Sequence, residues 1–290
     1  MSDNRPMAKE RALVLGGGGS AGNAWLIGVV AGLAEAGVDV ADADLVVGTS
    51  AGATAAAQLG GTDAAALLAD IAAAVVPPRR SPSAGPVVDH PERTGRIIAA
   101  ASGPADMRRR LGEAALELDD DGSWSARWRE IVAGRLPSSS WASRRTLVTA
   151  VDARTGAPVV LDRDSGVDLV DAVAASTSSG APYRIGEGRY LDGGYRRNEN
   201  ADLAAGHDRV LVLSPLGGRT RTPLAWGQHL AAQVEELRAA GSRVVTVLPD
   251  AASLAAFGSN LMDPATRPPA ARAGREQGLA VADEVGDLWR

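Results

Sequence analysis

The sequence predicts an α/β protein of three layers, with helices on both faces of a largely parallel central sheet. Short, continuously apolar runs recur along the chain and alternate with longer stretches of helical spacing. Strands buried on both faces read this way, and the alternation is that of parallel crossovers. Glycines close the first two runs, where a parallel strand must turn into its helix. With 290 residues, 45% of them hydrophobic, the chain can bury a core without covalent staples.

Each element has its own signal. Ala12–Leu15 is a short apolar run stopped by four glycines, hence a buried strand. Gly22–Ala36 places Trp25, Val29, Leu33 and Ala36 at helical spacing and ends at Gly37. Leu45–Val47 is the second strand, and alanine-rich Ser50–Leu59 the helix after it. Thr62 and Asp63 can cap a further helix to Val76. Pro77–Pro91 holds five prolines without periodicity and reads as a loop, a candidate lid edge. Glu92–Leu118 is helical with a break at Gly103-Pro104, and another helix runs to Val132. Strands are expected at Thr146–Val151, Val159–Leu161, Tyr190–Leu191, Val210–Leu213 and Val244–Leu248, with helices at Val167–Ala175 and Trp226–Ala240. PATRPPAA at 264–271 reads as a linker before a C-terminal helix. We expect one domain over 1–290, with 77–145 a helical insertion or lid and 272–290 the C-terminal helix.

Composition excludes several functions. There is no cysteine, hence no disulfide, no thiolate catalysis and no cysteine-ligated zinc. A net charge of −5 gives no reason to expect nucleic acid. Aromatic residues are only 3%, so the core must be built from Ala, Val and Leu. The N-terminal apolar run is too short for a signal peptide, and no window approaches the roughly 18 apolar residues of a membrane span. A soluble, cytoplasmic protein is the default expectation. No motif calls for a metal or cofactor.

Gly48-Thr49-Ser50-Ala51-Gly52 between a strand and a helix has the form of a nucleophile elbow. The tight turn leaves no room for side chains at Gly48 and Gly52, and it pushes Ser50 out at the carboxyl edge of the sheet. A plain turn serine is the bland alternative. Gly16–Gly19, after the first strand, can aim backbone N–H groups at a ligand such as a tetrahedral oxyanion. If the first two strands are neighbours, serine and donors meet. The spacing Gly17-x-Gly19-x-x-Gly22 also matches a dinucleotide fingerprint, but Asp39, Asp42 and Asp44 all precede the second strand, whose end should carry the ribose-binding acid. A GxxxxGK phosphate loop fails because Asn23 stands at the lysine position. A nucleotide-binding or non-catalytic α/β protein stays open as the rival reading.

A serine nucleophile needs a base. The chain has three histidines, His90, His207 and His229. His90 lies in the proline-rich loop and His207 at the amino edge of a strand. His229 follows that strand, and Ser50, Asp192 and His229 would keep the chain order of a hydrolase triad. A surface histidine is the competing reading. Asp192, between a short strand and Gly193-Gly194, is either a turn aspartate or a base whose pKa burial raises. Trp124 and Trp128 share a helix face, suited to cap packing or to a lipid entrance.

Three blocks, in order, resemble the patatin-like phospholipases: LVLGGGGSAG (13–22), GTSAGA (48–53) and DGGYRRNENADLA (192–204), with AASTSSGAPYRI (174–185) before the last. The likeness spans about residues 12–214. It implies a patatin-like fold and a serine lipid acyl hydrolase with a Ser–Asp dyad. Ser50 would be the nucleophile, Asp192 its base, and the N–H groups of Gly17, Gly18 and Gly19 the oxyanion hole. The implied partners are phospholipid, lysophospholipid or related acyl-ester substrates and a transient membrane surface. Where the family usually has a basic residue before the closing glycine, this chain has Ala21.

Overall fold

The computed structural model describes residues 10–74, 90–119 and 121–290, without the side chains of His90 and Pro91. The loop expected at Pro77–Pro91 therefore lies almost wholly outside the described residues. Among those described, eight strands form one sheet: β1 (Arg11–Leu15), β2 (Leu45–Gly48), β3 (Arg145–Asp152), β4 (Pro158–Leu161), β5 (Tyr183–Ile185), β6 (Gly188–Asp192), β7 (Arg209–Leu213) and β8 (Arg243–Val247). Hydrogen-bonded neighbours run β5-β6-β3-β2-β1-β7-β8, with β4 also on β3. From β3 to β8 all pairings are parallel, whereas β4, β5 and β6 pair antiparallel.

The helices are α1 (Gly19–Glu35), α2 (Ala51–Gly61), α3 (Ala64–Ala73), α4 (His90–Ala100), α5 (Pro104–Leu116), α6 (Ser123–Ala133), α7 (Leu169–Ser176), α8 (Leu230–Ala239), α9 (Ala251–Phe257), α10 (Arg267–Ala280) and α11 (Ala282–Trp289). They cover both faces of the sheet. Along β1, Leu13 and Leu15 join the core under α1, while Ala12 and Val14 point to the other side, with Val234 and Leu237 of α8. Both sets are fully buried, which is why the strand reads as an unbroken apolar run.

Two registers position the site. Leu15 pairs with Gly48, so the turns after β1 and β2 leave the sheet side by side. On β3, Val148 pairs with both Gly48 and Leu161, and Ala150 with both Val159 and Asp192. Since β4 holds one flank, β2 and β6 must share the other. They run toward each other and end at Gly48 and Asp192, with only Thr149 between their partners.

α1 is buried all round from Ala21 to Leu33, with the sheet below and α10 above. The upper contact is backbone on backbone. A Cβ on Gly28 would lie 2.1 Å from the Ala271 carbonyl oxygen, and one on Gly32 2.2 Å from that of Arg275. Reciprocally, a Cβ on Gly274 or Gly278 would meet the carbonyls of Trp25 or Val29 at 2.4 Å.

Several expectations need correction. The linker expected at 264–271 is instead a short 3-10 turn, Pro264–Thr266, and the start of α10. Pro268 and Pro269 occupy the first turn of α10, where a missing N–H costs nothing. The single helix expected over 272–290 is two, divided at Val281. α10 packs on α1, whereas α11 turns Val285, Leu288 and Trp289 into the core beside the sheet. α8 begins at Leu230, after a 3-10 turn at Leu224–Trp226, and β5 and α9 were not foreseen. The cap expected for α3 is Asp63, whose Oδ1 accepts the Ala66 N–H at 2.7 Å.

Candidate active site

Ser50 sits at the end of β2 and the start of α2 with φ 54° and ψ −115°. For a residue with a side chain this left-handed backbone costs about 1–3 kcal/mol. The flanking glycines are required by close approach. A Cβ on Gly52 would stand 1.9 Å from the Leu15 carbonyl oxygen, and one on Gly48 2.6 Å from the Ala53 Cα. The elbow is clamped from outside: Thr49 N–H donates to Leu15 O at 3.1 Å and Ser50 N–H to Ser176 Oγ at 2.9 Å.

Asp192 ends β6 directly opposite. Its Oδ1 accepts the Gly194 N–H at 2.8 Å. Burial pushes its carboxyl up to about 6, against the opposing pull of hydrogen bonds from the Ser50 side chain and the Gly194 N–H. The neighbouring Gly193 packs against β3, where a Cβ would meet Thr149 Oγ1 at 2.2 Å. The aspartate–glycine pair is thus a fitted junction and not a free surface turn.

Beneath the two side chains lies a buried polar lattice. Thr49 and Thr149 share a hydroxyl–hydroxyl bond of 2.9 Å, and the Asn200 amide nitrogen lies 3.0 Å from Thr49 Oγ1 and 3.2 Å from the Gly193 carbonyl. Asn200 itself adopts φ 54°. The fully buried Glu199 accepts from Ser214 Oγ at 2.7 Å, Asn198 Nδ2 at 2.9 Å and Gln233 Nε2 at 3.1 Å.

The glycine turn after β1 faces the elbow: a Cβ on Gly17 would lie 3.5 Å from that of Ser50. Its donors are fewer than expected. Gly16 N–H donates to Leu213 O and Gly17 N–H to Asn198 O, both at 3.0 Å. An N–H committed to a carbonyl cannot also serve an oxyanion, so Gly17 drops out of the expected donors. Gly18 and Gly19, at the start of α1, are left with free N–H groups among the described residues. Ala21 is fully buried, and a cation reaches its neighbourhood from α10 instead. Arg267 Nη1 donates to Ser20 O at 3.2 Å and Asn23 Oδ1 at 2.9 Å.

The elbow, the aspartate and the glycine turn open into a cavity of about 1350 Å³. Ser50, Asp192 and Gly17–Gly19 lie on its wall, with Leu67, Ile71, Ile98 and Met107 among its apolar lining. Trp128 lines it too, stacked on Trp124 at 6.1 Å, with its indole N–H 3.2 Å from Ala174 O and from Thr177 Oγ1.

Of the histidines, the two with described side chains, His207 and His229, are not brought to Ser50. His207 lies before β7, at the opposite edge, with Nδ1 3.0 Å from Ala204 O. His229 precedes α8 and does not line the cavity; its Nδ1 is buried without a partner. The His90 side chain lies outside the described residues. Ser176, Thr149, Asn200 and Arg267 were not singled out from sequence. Ser176 and Asn200 lay in stretches already quoted, the small-residue run before Asp192 and the block that begins with it.

A family model described as patatin-like phospholipase matches residues 13–205. No curated protein matches the chain. Among solved structures, VipD from Legionella pneumophila is similar at 13% identity and a TM-score of 0.45, over 95% of this chain and 67% of that one. The type III effector protein ExoU follows at 15% identity and 0.40, over 96% of this chain. The match spans 53% of ExoU, about half its length. With its family model matched over well more than half of its residues, from the glycine turn through the Asp192 block, the chain belongs to the patatin-like phospholipase family and is a hydrolase of ester bonds.

Proposed function

We propose that the protein hydrolyses carboxylic esters of phospholipids, lysophospholipids or related acyl lipids through an acyl-serine on Ser50, with Asp192 as general base. The observation that carries this reading is a buried Asp192 carboxyl sharing one cavity wall with a serine held on a strained elbow. A carboxyl near 6 is ionised at neutral pH yet basic enough to take a hydroxyl proton in the transition state.

Asp192 takes the Ser50 proton as Oγ bonds the ester carbonyl carbon. The resulting oxyanion accepts the N–H groups of Gly18 and Gly19, at the positive end of α1. Collapse of the adduct expels the alcohol, which leaves with the proton from Asp192. Water then adds to the acyl-serine, again losing its proton to Asp192. That proton returns to Oγ as the fatty acid departs. The apolar wall of Leu67, Ile71, Ile98 and Met107 suits an acyl chain, and Met262, 63% exposed at the cavity rim, suits transient contact with a lipid surface.

The test is hydrolysis of a short and a long p-nitrophenyl ester by wild type, Ser50→Ala and Asp192→Asn, with fluorophosphonate labelling of each. Wild type should turn over and be labelled, Ser50→Ala should do neither, and Asp192→Asn should lose turnover. Hydrolysis persisting in Ser50→Ala would overturn the assignment.

A further inference from the structure

Asn198 and Glu199 stand beside the glycine turn, and the reaction as written gives them no part. Asn198 is half-buried on the cavity wall. Its Oδ1 lies 2.8 Å from where a Cβ on Gly17 would be and 3.9 Å from one on Gly194, so the side chain stands between the glycine turn and the Asp192 block. Gly17 is therefore a seat for this amide. It is also held by it at both ends. Gly17 N–H donates to the Asn198 carbonyl at 3.0 Å, and the Gly17 carbonyl accepts from Asn198 Nδ2 at 3.5 Å. The second bond is long, as those of catalytic sites often are before substrate binds.

The Gly17 carbonyl and the Gly18 N–H belong to one planar trans peptide and point opposite ways. Glycine flanks that peptide on both sides, so no Cβ resists its rotation. Flipped, it would offer an oxyanion a carbonyl oxygen in place of a donor. Holding the Gly17 carbonyl thus aims the Gly18 N–H.

The Asn198 amide is itself kept from turning. Its Nδ2 donates to Glu199 Oε1 at 2.9 Å, an oxygen that also accepts from Ser214 Oγ at 2.7 Å. Glu199 Oε2 accepts Gln233 Nε2 at 3.1 Å, and Gln233 is fixed in turn because its Oε1 accepts the Ala201 N–H at 2.8 Å. Glu199 is fully buried and has no cationic partner among the described residues. A carboxyl is costly to keep in such a place, and three converging donors hold it there.

We infer that Asn198 is a positioning residue for the oxyanion hole, locking the Gly17–Gly18 peptide with the Gly18 N–H toward the reacting carbonyl, and that Glu199 holds the Asn198 amide in the orientation that does so. The inference rests on the hydrolase reading of Ser50 and Asp192.

The experiment follows hydrolysis of a p-nitrophenyl ester by wild type, Asn198→Asp, Asn198→Ala and Glu199→Gln. Exhaustive fluorophosphonate labelling counts competent Ser50 in each, so unfolded protein does not pass for slow turnover. Asn198→Asp keeps the shape but sets an acceptor against the Gly17 carbonyl. Both Asn198 variants should lose about tenfold to hundredfold in kcat per labelled serine with KM little changed, since a lost oxyanion donor costs about 10²–10³ and a loosened one part of that. Glu199→Gln, which sets an amide N–H against a fixed donor, should fall in the same direction, and it decides where an Asn198 variant takes no label. A second readout isolates the oxyanion. An alkyl trifluoromethyl ketone takes Ser50 Oγ at its carbonyl carbon, the hydroxyl proton passes to Asp192, and a tetrahedral oxyanion remains. The corresponding trifluoromethyl carbinol forms no adduct. The inhibition constant of the ketone should rise by the factor lost in kcat, and that of the carbinol should not move. An unchanged kcat per labelled serine, or a fall in kcat with the ketone bound as tightly as by wild type, overturns the inference and leaves the hydrolase reading intact. Wild type that neither turns over the ester nor takes the label overturns the hydrolase reading, and the inference with it.

Discussion

Ser50 and Ser176 are tied by a single bond, the backbone N–H of the first to the hydroxyl oxygen of the second at 2.9 Å, across 126 residues of chain. The donor belongs to the residue with the strained backbone, and the fully buried acceptor ends α7. Removing the hydroxyl leaves a part-buried N–H unsatisfied, at about 1–3 kcal/mol. Ser176→Ala should therefore lower kcat about tenfold with little change in KM, because the elbow loosens while the cavity stays. Steady-state kinetics on a p-nitrophenyl ester checks this, and an unchanged kcat would mean that the elbow holds its shape without Ser176.

Asp192 ties activity and stability to pH with opposite signs. Its carboxyl stands at about 6 in the folded chain, against an ordinary 3.8. Between those values the folded protein keeps a proton that the unfolded chain has released, so stability falls as pH rises through this window. The ionised aspartate above it costs the fold on the order of 3 kcal/mol. The general base, by contrast, works only when ionised, so kcat/KM should climb through pH 6. Asp192→Asn should be inactive, more stable than wild type at pH 8, and no more stable at pH 4. Urea midpoints of both proteins at the two pH values test the sign.

The α1–α10 seam should be intolerant of a single methyl group. Gly28→Ala and Gly278→Ala each drive a Cβ into a carbonyl oxygen of the opposite helix, at 2.1 and 2.4 Å, and should lower stability by about 2–3 kcal/mol. Gly103→Ala, where no atom lies within 4 Å, is the control and should change little. Denaturant unfolding of the three variants is sufficient.

His229→Ala distinguishes a dyad from a triad. His229 lies off the cavity wall, so kcat and KM should match wild type. A loss of about a hundredfold or more would instead identify a general base.

The parts of this site that read from sequence are those whose geometry is local. Gly48 is dictated by its own turn of five residues, and Gly52 and the run of glycines after β1 by the approach of a backbone, for which glycine is the sign in sequence. The same locality explains what could not be read. That Gly17 bonds to Asn198 depends on a pairing across 181 positions, and that Arg267 stands beside Ser20 on one across 247. Neither leaves a spacing signal. Asn200 gave no sign of its left-handed backbone, which a lattice under the elbow requires. The linker read at 264–271 misled because two prolines look like a break, yet they fit the first turn of a helix. β5, a strand of three residues at the sheet edge, is too short for any periodicity.

The glycine seam has a mechanical consequence. Where two helices touch through carbonyls and not through side chains, no soft layer remains to absorb displacement. α1 begins at the glycine turn and α10 at Arg267, so that turn and the cation beside it travel as a single stiff plate. Substrates of different girth would be accommodated where Leu67, Ile71, Ile98 and Met107 line the cavity with side chains that can rotate. The cavity thus joins a rigid seam of backbone to a lining of side chains that can yield.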